Sequence, residues 1–184
     1  MIVNQIGNPA VVDALMGDAL VVLKTDTIYG ILALASSQAA VDKLYAAKHR
    51  DTSKSCIVLV SSLDEIPGLS KSQQSQYAEL NNDRPTTVVV NTASTHLPHL
   101  IRQSETLAFR LVRPSELGML IEKTGPLLAP SANTEGSPPA RNIEEAVEYF
   151  GNNVAVYVDS GTVASPKPSR IITPADTGFD IIRL

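Results

Sequence analysis

The sequence predicts an α/β or α+β fold, in which helices flank an open β-sheet. Short apolar runs rich in β-branched residues recur along the chain and alternate with segments of helical periodicity. The chain has 184 residues and a hydrophobic content of 43%. This length suits one domain, which can bury about two thirds of its unfolded surface. We therefore expect a single domain over residues 1–184.

The predicted strands are short apolar runs bounded by turn-forming residues. In chain order they are Leu20–Lys24, Ile57–Ser61, Thr87–Asn91, Thr106–Val112, Leu127–Ala129, Val154–Val158 and Ile171–Thr173. A final strand-like run, Phe179–Leu184, closes the chain.

The predicted helices show apolar residues at helical spacing. They are Pro9–Met16, Ser37–Lys48, Pro114–Lys123 and Ile143–Phe150, the last with Asn142 as its N-cap and Gly151 as its stop. Residues 64–86 are polar and predict a surface helix followed by a loop. Residues 160–169 form a long loop rich in Pro, Gly and Ser, which we hypothesise to be a lid over a ligand site.

Composition excludes several classes of protein. The net charge of −4 and the pI near 5.3 argue against a protein whose main work is coating nucleic acid. The one cysteine, Cys56, lies in an apolar run and predicts a buried hydrophobe rather than a disulfide, which weakly indicates a reducing compartment. No window reaches the roughly 18 apolar residues of a membrane span. We expect a cytoplasmic protein without membrane contact.

The most informative stretch is the hydroxyl-rich turn at 24–30, Lys-Thr-Asp-Thr-Ile-Tyr-Gly, which follows the first apolar strand. An α/β sheet presents its ligand site in the loops beyond the carboxyl ends of its strands, so the turn is a candidate site. Asp26 in this turn is either a metal or general-base group or a cap of the following turn, and we favour the cap.

Three cations lie within seven residues near the end of the second predicted helix: Lys48, Arg50 and Lys54. Lys48 is in line with the apolar stripe, so its stem can lie along the core while its ammonium emerges at the helix end. Lysine supplies a point charge and arginine a planar fork, and together they suit a polyphosphate. Alternatively, Lys48 and Arg50 only complement the helix dipole.

Two other segments place polar groups at or within strands. The segment at 130–133, Pro-Ser-Ala-Asn, follows an apolar strand and can donate to phosphate or carboxylate oxygens, although Ser and Asn are also ordinary turn formers. Arg110 lies in an apolar strand, on the face that it shares with Ala108 and Val112. Such a charge has a partner or a ligand, unless it faces water from an edge strand.

Other constellations fall short of a site. His96 and His99 flank a proline-containing loop and, with a single distant cysteine, do not make a zinc site, so we expect exposed histidines. The sequence contains no Walker loop, no dinucleotide fingerprint and no nucleophile elbow.

In combination, the motifs resemble the Sua5/YciO/YrdC family of threonylcarbamoyl-adenylate synthases. The turn at 24–30 is similar to the family's Pro/Lys-Thr-[Asp/Glu]-Thr-x-Tyr-Gly pattern, Lys48 and Arg50 to its Lys-x-Arg pair, and residues 131–133 to its Ser-Ala-Asn loop. Residues 159–161 and 168–171 resemble its Asp-Gly-Gly and Pro-Ser-[Thr/Glu/Arg]-[Ile/Val] patterns.

The sequence departs from the family at four places. The segment after Lys54 lacks the family's Pro-Leu, Glu135 replaces a serine of the Ser-Ala-Asn loop, residues 113–115 (Arg-Pro-Ser) stand where many relatives have a histidine, and Arg84 replaces a glycine ahead of the third predicted strand. The last change could alter the entrance of the cleft.

The resemblance implies a YrdC-like twisted, open mixed sheet flanked by helices, with a concave ligand cleft. It implies a nucleotidyltransferase that joins L-threonine, bicarbonate and ATP into threonylcarbamoyl-AMP and pyrophosphate, for N6-threonylcarbamoyladenosine (t6A) in tRNA. Lys48 and Arg50 would be catalytic. The implied ATP contacts are Lys48, Arg50, Lys54, Ser131, Asn133, Ser169 and Arg170. The implied threonine contacts are Thr25, Thr27, Tyr29 and Arg110.

No residue is expected to hold a metal by itself, and Mg²⁺ would bridge the ATP phosphates. The downstream partner would be a threonylcarbamoyl transferase that modifies tRNA. The alternative function is that of a YciO-like paralogue, an RNA-binding module without synthase activity, and weak RNA binding is open in either case.

Overall fold

The structure is a computed structural model and describes residues 1–91, 97–101, 105–165 and 167–184. The strands in these ranges are β1 (Ile2–Val3), β2 (Val21–Lys24), β3 (Tyr29–Leu34), β4 (Ile57–Val60), β5 (Thr86–Asn91), β6 (Thr106–Leu111), β7 (Leu127–Leu128), β8 (Val156–Val158), β9 (Arg170–Pro174) and β10 (Phe179–Arg183). The helices are α1 (Pro9–Met16), α2 (Gln38–Lys48), α3 (Lys71–Asp83), α4 (Glu116–Thr124) and α5 (Ile143–Phe150).

The ten strands form one mixed sheet in the order β1-β8-β2-β3-β7-β4-β6-β5-β9-β10. Parallel pairs join β8 to β1 and β2, β4 to β6, and β5 to β9, whereas the other neighbours are antiparallel. The prediction of an open mixed sheet flanked by helices is confirmed. Because neighbouring strands often run in opposite directions, one edge of the sheet collects both carboxyl and amino ends of strands.

The strand β3 was not predicted, because the sequence after Asp26 was interpreted only as a turn. Tyr29–Leu34 is buried at every position and therefore lacks the alternation that marks a half-exposed strand. It pairs antiparallel with β2 through the short turn at 25–28. A side chain at Gly30 would approach the Pro130 carbonyl oxygen to 3.3 Å, which explains glycine where β3 meets the segment after β7. The two-residue β1 was also missed.

The predicted helices are confirmed, with ends set by their caps. Asn142 begins α5 by accepting the Glu145 backbone N–H at 2.9 Å, and Ser115 rather than Pro114 sets the start of α4. The surface helix predicted within 64–86 is α3, whose buried residues are Tyr77 and Asn81. The loop expected after it shrinks to two residues before β5.

The buried Asn81 and Tyr77 connect α3 to the sheet. Asn81 accepts the Thr86 backbone N–H at 2.9 Å and donates to the Leu111 carbonyl oxygen at 3.0 Å. The Tyr77 hydroxyl donates to the Thr86 carbonyl oxygen at 2.8 Å and accepts the Leu111 N–H at 3.0 Å. These bonds fix the start of β5 beside the end of β6.

The remaining predictions on single residues had mixed outcomes. Cys56 is buried in the core, as predicted. His99 is half-buried rather than exposed, with Nε2 2.8 Å from the Ala35 carbonyl oxygen, and His96 lies outside the described residues. The described residues contain no group of three metal-ligating side chains and no helix long and apolar enough to cross a membrane. The hypothesis of a lid at 160–169 is untested.

Candidate functional site

A cleft of about 270 Å³ opens at the edge of the sheet where β2, β7 and β10 end and β3, β4 and β9 begin. Its walls are Thr25, Thr27, Ile28, Tyr29, Gly30, Ile57, Arg110, Ala129, Ser131, Pro139, Pro168, Ser169 and Arg183. The expectation of a site beyond carboxyl strand ends holds for three strands. The other three contribute their amino ends because the sheet is mixed.

The turn between β2 and β3 is closed by its own hydroxyl groups. The backbone N–H and the Oγ1 of Thr25 both donate to the Ile28 carbonyl oxygen, at 2.9 and 2.8 Å. The Thr27 hydroxyl lies 3.1 Å from the Thr25 hydroxyl, and the Thr27 backbone N–H donates to Thr25 Oγ1 at 3.3 Å. These bonds fix two hydroxyl groups at the cleft wall.

Tyr29 lines the cleft, but its hydroxyl group binds another loop. The hydroxyl donates to the Gly161 carbonyl oxygen at 2.8 Å and accepts the Ser160 backbone N–H at 2.9 Å. Burial raises the pKa of this phenol above its ordinary value. The structure thus makes Tyr29 the anchor of residues 160–161, and its side chain is fully buried behind the cleft wall.

Arg110 is a buried charge in the interior strand β6, between β4 and β5, so the alternative of an edge-strand arginine facing water is wrong. Its NH2 atom forms an ion pair with Asp26 Oδ1 at 2.8 Å. Its Nε is buried without a hydrogen-bond partner in the described structure. A buried donor is costly to leave unsatisfied, and that of Arg110 belongs to a residue that lines the cleft. The Nε of Arg170, which is not a cleft wall, is also buried without a partner.

The interpretation of Asp26 as a turn cap is wrong. Its carboxylate pairs with Arg110, and the turn that it was expected to cap is closed instead by Thr25 Oγ1. Its side chain is 21% exposed beside Thr25 and Thr27. This pairing could not be predicted from the sequence, because Asp26 and Arg110 come from distant elements.

Lys48 differs from the expectation of an ammonium that emerges at the helix end. The residue is 2% exposed, and its Nζ donates to the carbonyl oxygens of Ser131 and Asn133, each at 2.5 Å. Burial lowers its pKa from 10.5 to about 8. Lys48 therefore holds the Ser-Ala-Asn loop against α2, and it is not among the cleft walls.

Arg50 and Lys54 also contact protein groups. Arg50 NH2 donates to the Ser55 carbonyl oxygen at 2.9 Å. Lys54 forms an ion pair with Glu135, whose other oxygen accepts the Asp51 backbone N–H at 2.8 Å. The hydrogen bond from Lys54 lowers the pKa of Glu135 below its ordinary value. The residue that replaces the family's serine thus joins the loop after α2 to the Ser-Ala-Asn loop.

The Ser-Ala-Asn loop is internally bonded. Ser131 Oγ donates to Asn133 Oδ1 at 2.6 Å, and Asn133 Nδ2 donates to the carbonyl oxygens of Thr134 and Ser137, both at 2.8 Å. The side chain of Ser131 lines the cleft, whereas Asn133 stabilises the loop behind it.

The C-terminal pair separates into two environments. Ser169 lines the cleft, and its hydroxyl lies 2.8 Å from that of Thr87. Arg170 points away and donates through NH2 to Asp83 Oδ2 at 2.8 Å and to the Leu80 carbonyl oxygen at 3.1 Å. The structure does not bring Arg170 to the cleft.

The structure therefore assembles part of the predicted set. The predicted residues at the cleft are Thr25, Thr27, Tyr29, Arg110, Ser131 and Ser169. Those that are not cleft walls are Lys48, Arg50, Lys54, Asn133 and Arg170.

Arg183 is a cleft residue that sequence reasoning missed. Its NH2 donates to the Ser169 carbonyl oxygen at 2.8 Å, which holds the guanidinium at the wall. The signal was a single cation in the final apolar run, which could not be distinguished from an ordinary surface arginine.

Comparison with known sequences agrees with the family resemblance of the motifs. Residues 13–184 match the Sua5/YciO/YrdC family model, which carries the description "Telomere recombination". The chain is 31% identical over 152 residues to the threonylcarbamoyl-AMP synthase of Haemophilus influenzae strain Rd, covering 79% of this chain and 83% of that one. It is 28% identical over 177 residues to the threonylcarbamoyl-AMP synthase of Pseudoalteromonas atlantica, covering 93% and 94%.

The fold has close counterparts among solved structures. P. abyssi Sua5 complexed with L-threonine matches with a TM-score of 0.84 and 23% identity, covering 100% of this chain and 57% of the Sua5 chain. The chain thus spans little more than half of that protein. E. coli YciO matches with a TM-score of 0.75 and 18% identity, covering 94% and 85%. With its family match and its sequence relatives, the chain belongs to the Sua5/YciO/YrdC family.

Proposed function

We propose that this chain is a threonylcarbamoyl-AMP synthase, which forms L-threonylcarbamoyl-AMP and pyrophosphate from L-threonine, bicarbonate and ATP. The observation that carries the proposal is a single cleft that joins a buried, incompletely bonded Arg110 to the hydroxyl groups of Thr25 and Thr27. The relatives named threonylcarbamoyl-AMP synthase support it.

The amino-acid end of the cleft suits a small hydroxy amino acid. The Arg110 guanidinium is the natural partner of the substrate carboxylate, because charge-assisted hydrogen bonds are stronger where water is excluded. The Thr27 hydroxyl can exchange a hydrogen bond with the substrate hydroxyl, whereas the Thr25 hydroxyl is fully engaged within the turn and holds Thr27 in place. A carboxylate there would satisfy the buried Nε that lacks a protein partner.

The nucleotide end has its own cation. Arg183 lines the cleft beside Ser169, and the structure shows no ion pair for it within the described ranges. A planar guanidinium is a suitable partner for phosphate oxygens, and so is the Ser169 hydroxyl when it accepts from Thr87, whereas the Ser131 hydroxyl already donates to Asn133. The catalytic and ATP-binding roles predicted for Lys48, Arg50 and Lys54 stay predictions, and in the structure these residues bond to the loops that border this end.

The reaction needs alignment more than a protein nucleophile. The threonine amine adds to carbon dioxide with loss of a proton, or to bicarbonate with loss of water, to give a carbamate, and a carbamate oxygen attacks the α-phosphorus of ATP with loss of pyrophosphate. The protein contributes position and charge neutralisation. The described residues offer no three-ligand metal cluster, so Mg²⁺ would come with the ATP phosphates and neutralise their charge. The product would serve t6A formation in tRNA through a separate transferase.

Pyrophosphate release from purified protein with Mg²⁺-ATP tests the proposal, with L-threonine and bicarbonate omitted in turn. We expect release only when both are present. Arg183→Gln should lower kcat/KM for ATP by about 10- to 100-fold, the worth of a charge-assisted hydrogen bond. Arg113→Gln, a change at an exposed arginine bound to the Asn82 carbonyl oxygen, is the matched control and should behave as wild type.

Two results would contradict the proposal. Release that needs neither threonine nor bicarbonate would indicate another reaction, and the absence of release together with salt-sensitive RNA binding would favour the RNA-binding paralogue.

A further inference from the structure

The carboxylate of Asp26 is unexpected beside Arg110. If Arg110 binds a substrate carboxylate, a second carboxylate 2.8 Å from its NH2 atom opposes that binding by like-charge repulsion. A lone buried arginine would bind the substrate anion more strongly. The ion pair should therefore have a function that compensates for the weaker binding of the substrate carboxylate.

The geometry places the pair as one dipolar unit at the cleft. Arg110 is 3% exposed and lines the cleft, with its Nε still without a protein partner. Asp26 is not itself a cleft wall, but it lies in the chain between two cleft residues, Thr25 and Thr27, its Oδ1 is 2.8 Å from Arg110 NH2, and its side chain is 21% exposed. The guanidinium thus offers an unused donor at the cleft, with a partly exposed negative charge directly beside it.

We infer that Asp26 determines specificity, by making the cleft selective for zwitterionic α-amino acids over plain carboxylates and phosphates. This inference rests on the proposed function and deepens it. An α-amino acid carries its ammonium one carbon from its carboxylate, so it can place the carboxylate on Arg110 and the ammonium on the side of Asp26. A plain anion gains the first interaction and suffers the repulsion of Asp26.

The site needs this selectivity because its two proposed substrates differ in charge. The proposed reaction brings ATP, a polyanion, into the same cleft as the amino acid. An unpaired Arg110 would attract phosphate oxygens into the amino-acid end, whereas a neutral ion pair has little long-range attraction for a polyanion. Asp26 therefore separates the two binding ends by charge.

Calorimetric titration tests the inference on wild-type protein, Asp26→Asn and the charge-matched control Asp64→Asn, a change at a carboxylate that is 82% exposed and pairs with Lys71 rather than with a cleft residue. The ligands are L-threonine and 3-hydroxybutyrate, which lacks the amine. In Asp26→Asn we expect threonine to bind at least about tenfold more weakly and 3-hydroxybutyrate to bind equally or more tightly. The substitution removes a partly buried negative charge that attracts the ammonium of threonine and repels a plain carboxylate. Asp64→Asn should match wild type.

The ratio of the two dissociation constants within one variant decides the outcome. A partly unfolded variant changes the binding stoichiometry but not this ratio. An equal loss for both ligands would reduce Asp26 to a structural role and overturn the inference, and so would an unchanged ratio. Threonine binding by wild type with an unchanged ratio in the variant leaves the proposed function intact, whereas wild-type protein that binds no threonine contradicts the proposed function itself.

Discussion

At the scale of single residues, Lys48 shows that a side chain predicted to bind a ligand can be buried and bonded to backbone carbonyl groups of the protein. The sequence showed that Lys48 is in line with the apolar stripe of its helix. It did not show the two carbonyl groups that accept hydrogen bonds from Lys48, because they lie 83 and 85 positions further along the chain. Thr25, Thr27 and Ser131 were found because they directly follow strands, whereas Arg183 carries no local signal.

The pKa of Lys48 predicts an unusual dependence of stability on pH. The pKa is about 8 in the folded protein and 10.5 otherwise, so the unfolded chain binds more protons between these values. We expect the contribution of Lys48 to the free energy of unfolding to rise by about 2 kcal/mol from pH 8 to pH 10, and the total measured with urea to rise by less, because unfolded tyrosines begin to ionise near pH 10. Above pH 10 it should fall, because Tyr29, Tyr77 and Tyr157 have raised pKa values.

Lys48→Met isolates this contribution. It removes the titrating group and leaves two carbonyl groups without their donor, which should cost about 1–3 kcal/mol at pH 7. The rise between pH 8 and pH 10 should then disappear. A variant that keeps the same rise would show that another group causes it.

At the scale of elements, the sequence predicted segments whose burial is one-sided or whose ends carry caps. Asn142 and Gly151 bounded α5 because a side-chain acceptor and a residue at φ of 46° are local requirements. The strand Tyr29–Leu34 was missed because its first residues were assigned to the turn at 24–30, whereas a similarly buried strand such as Ile57–Val60 was predicted from its separate apolar run. The sheet order depends on long-range pairing.

The backbone is strained at the residue that ends α2. His49 adopts φ of 50°, the left-handed conformation in which glycine is preferred, directly between Lys48 and Arg50. His49→Gly should increase the free energy of unfolding by roughly 0.5–1 kcal/mol, as judged by urea denaturation. Ala46→Gly, at an exposed helical position in the same turn, is the control and should decrease it by about 1 kcal/mol. Equal losses in both variants would count against strain at His49.

At the scale of the whole molecule, the cleft draws side chains from the turn after β2 to the end of β10, at the two extremes of the sequence and across the sheet. The family resemblance predicted this cleft, but residue patterns alone could not, because its walls come from strands of both directions. A ligand that contacts these walls binds only the assembled sheet.

Ligand binding should therefore stabilise the whole fold. L-threonine at 100 times its dissociation constant should raise the free energy of unfolding by about 2.7 kcal/mol, seen as a higher melting temperature. Threoninamide, which lacks the carboxylate for Arg110, should have little effect at the same concentration. Equal stabilisation by both compounds would contradict the role of Arg110.

The contacts of Lys48 also bear on the order in which the chain folds. Its ammonium stays without its two acceptors until the segment after β7 has docked, and the Glu135 backbone N–H bonds back to the Lys48 carbonyl oxygen at 2.9 Å. Closing so large a loop is slow compared with forming a helix. A chain emerging from the ribosome would complete α2 early and its catalytic cleft late, so ligand binding reports a finished fold rather than a nascent one.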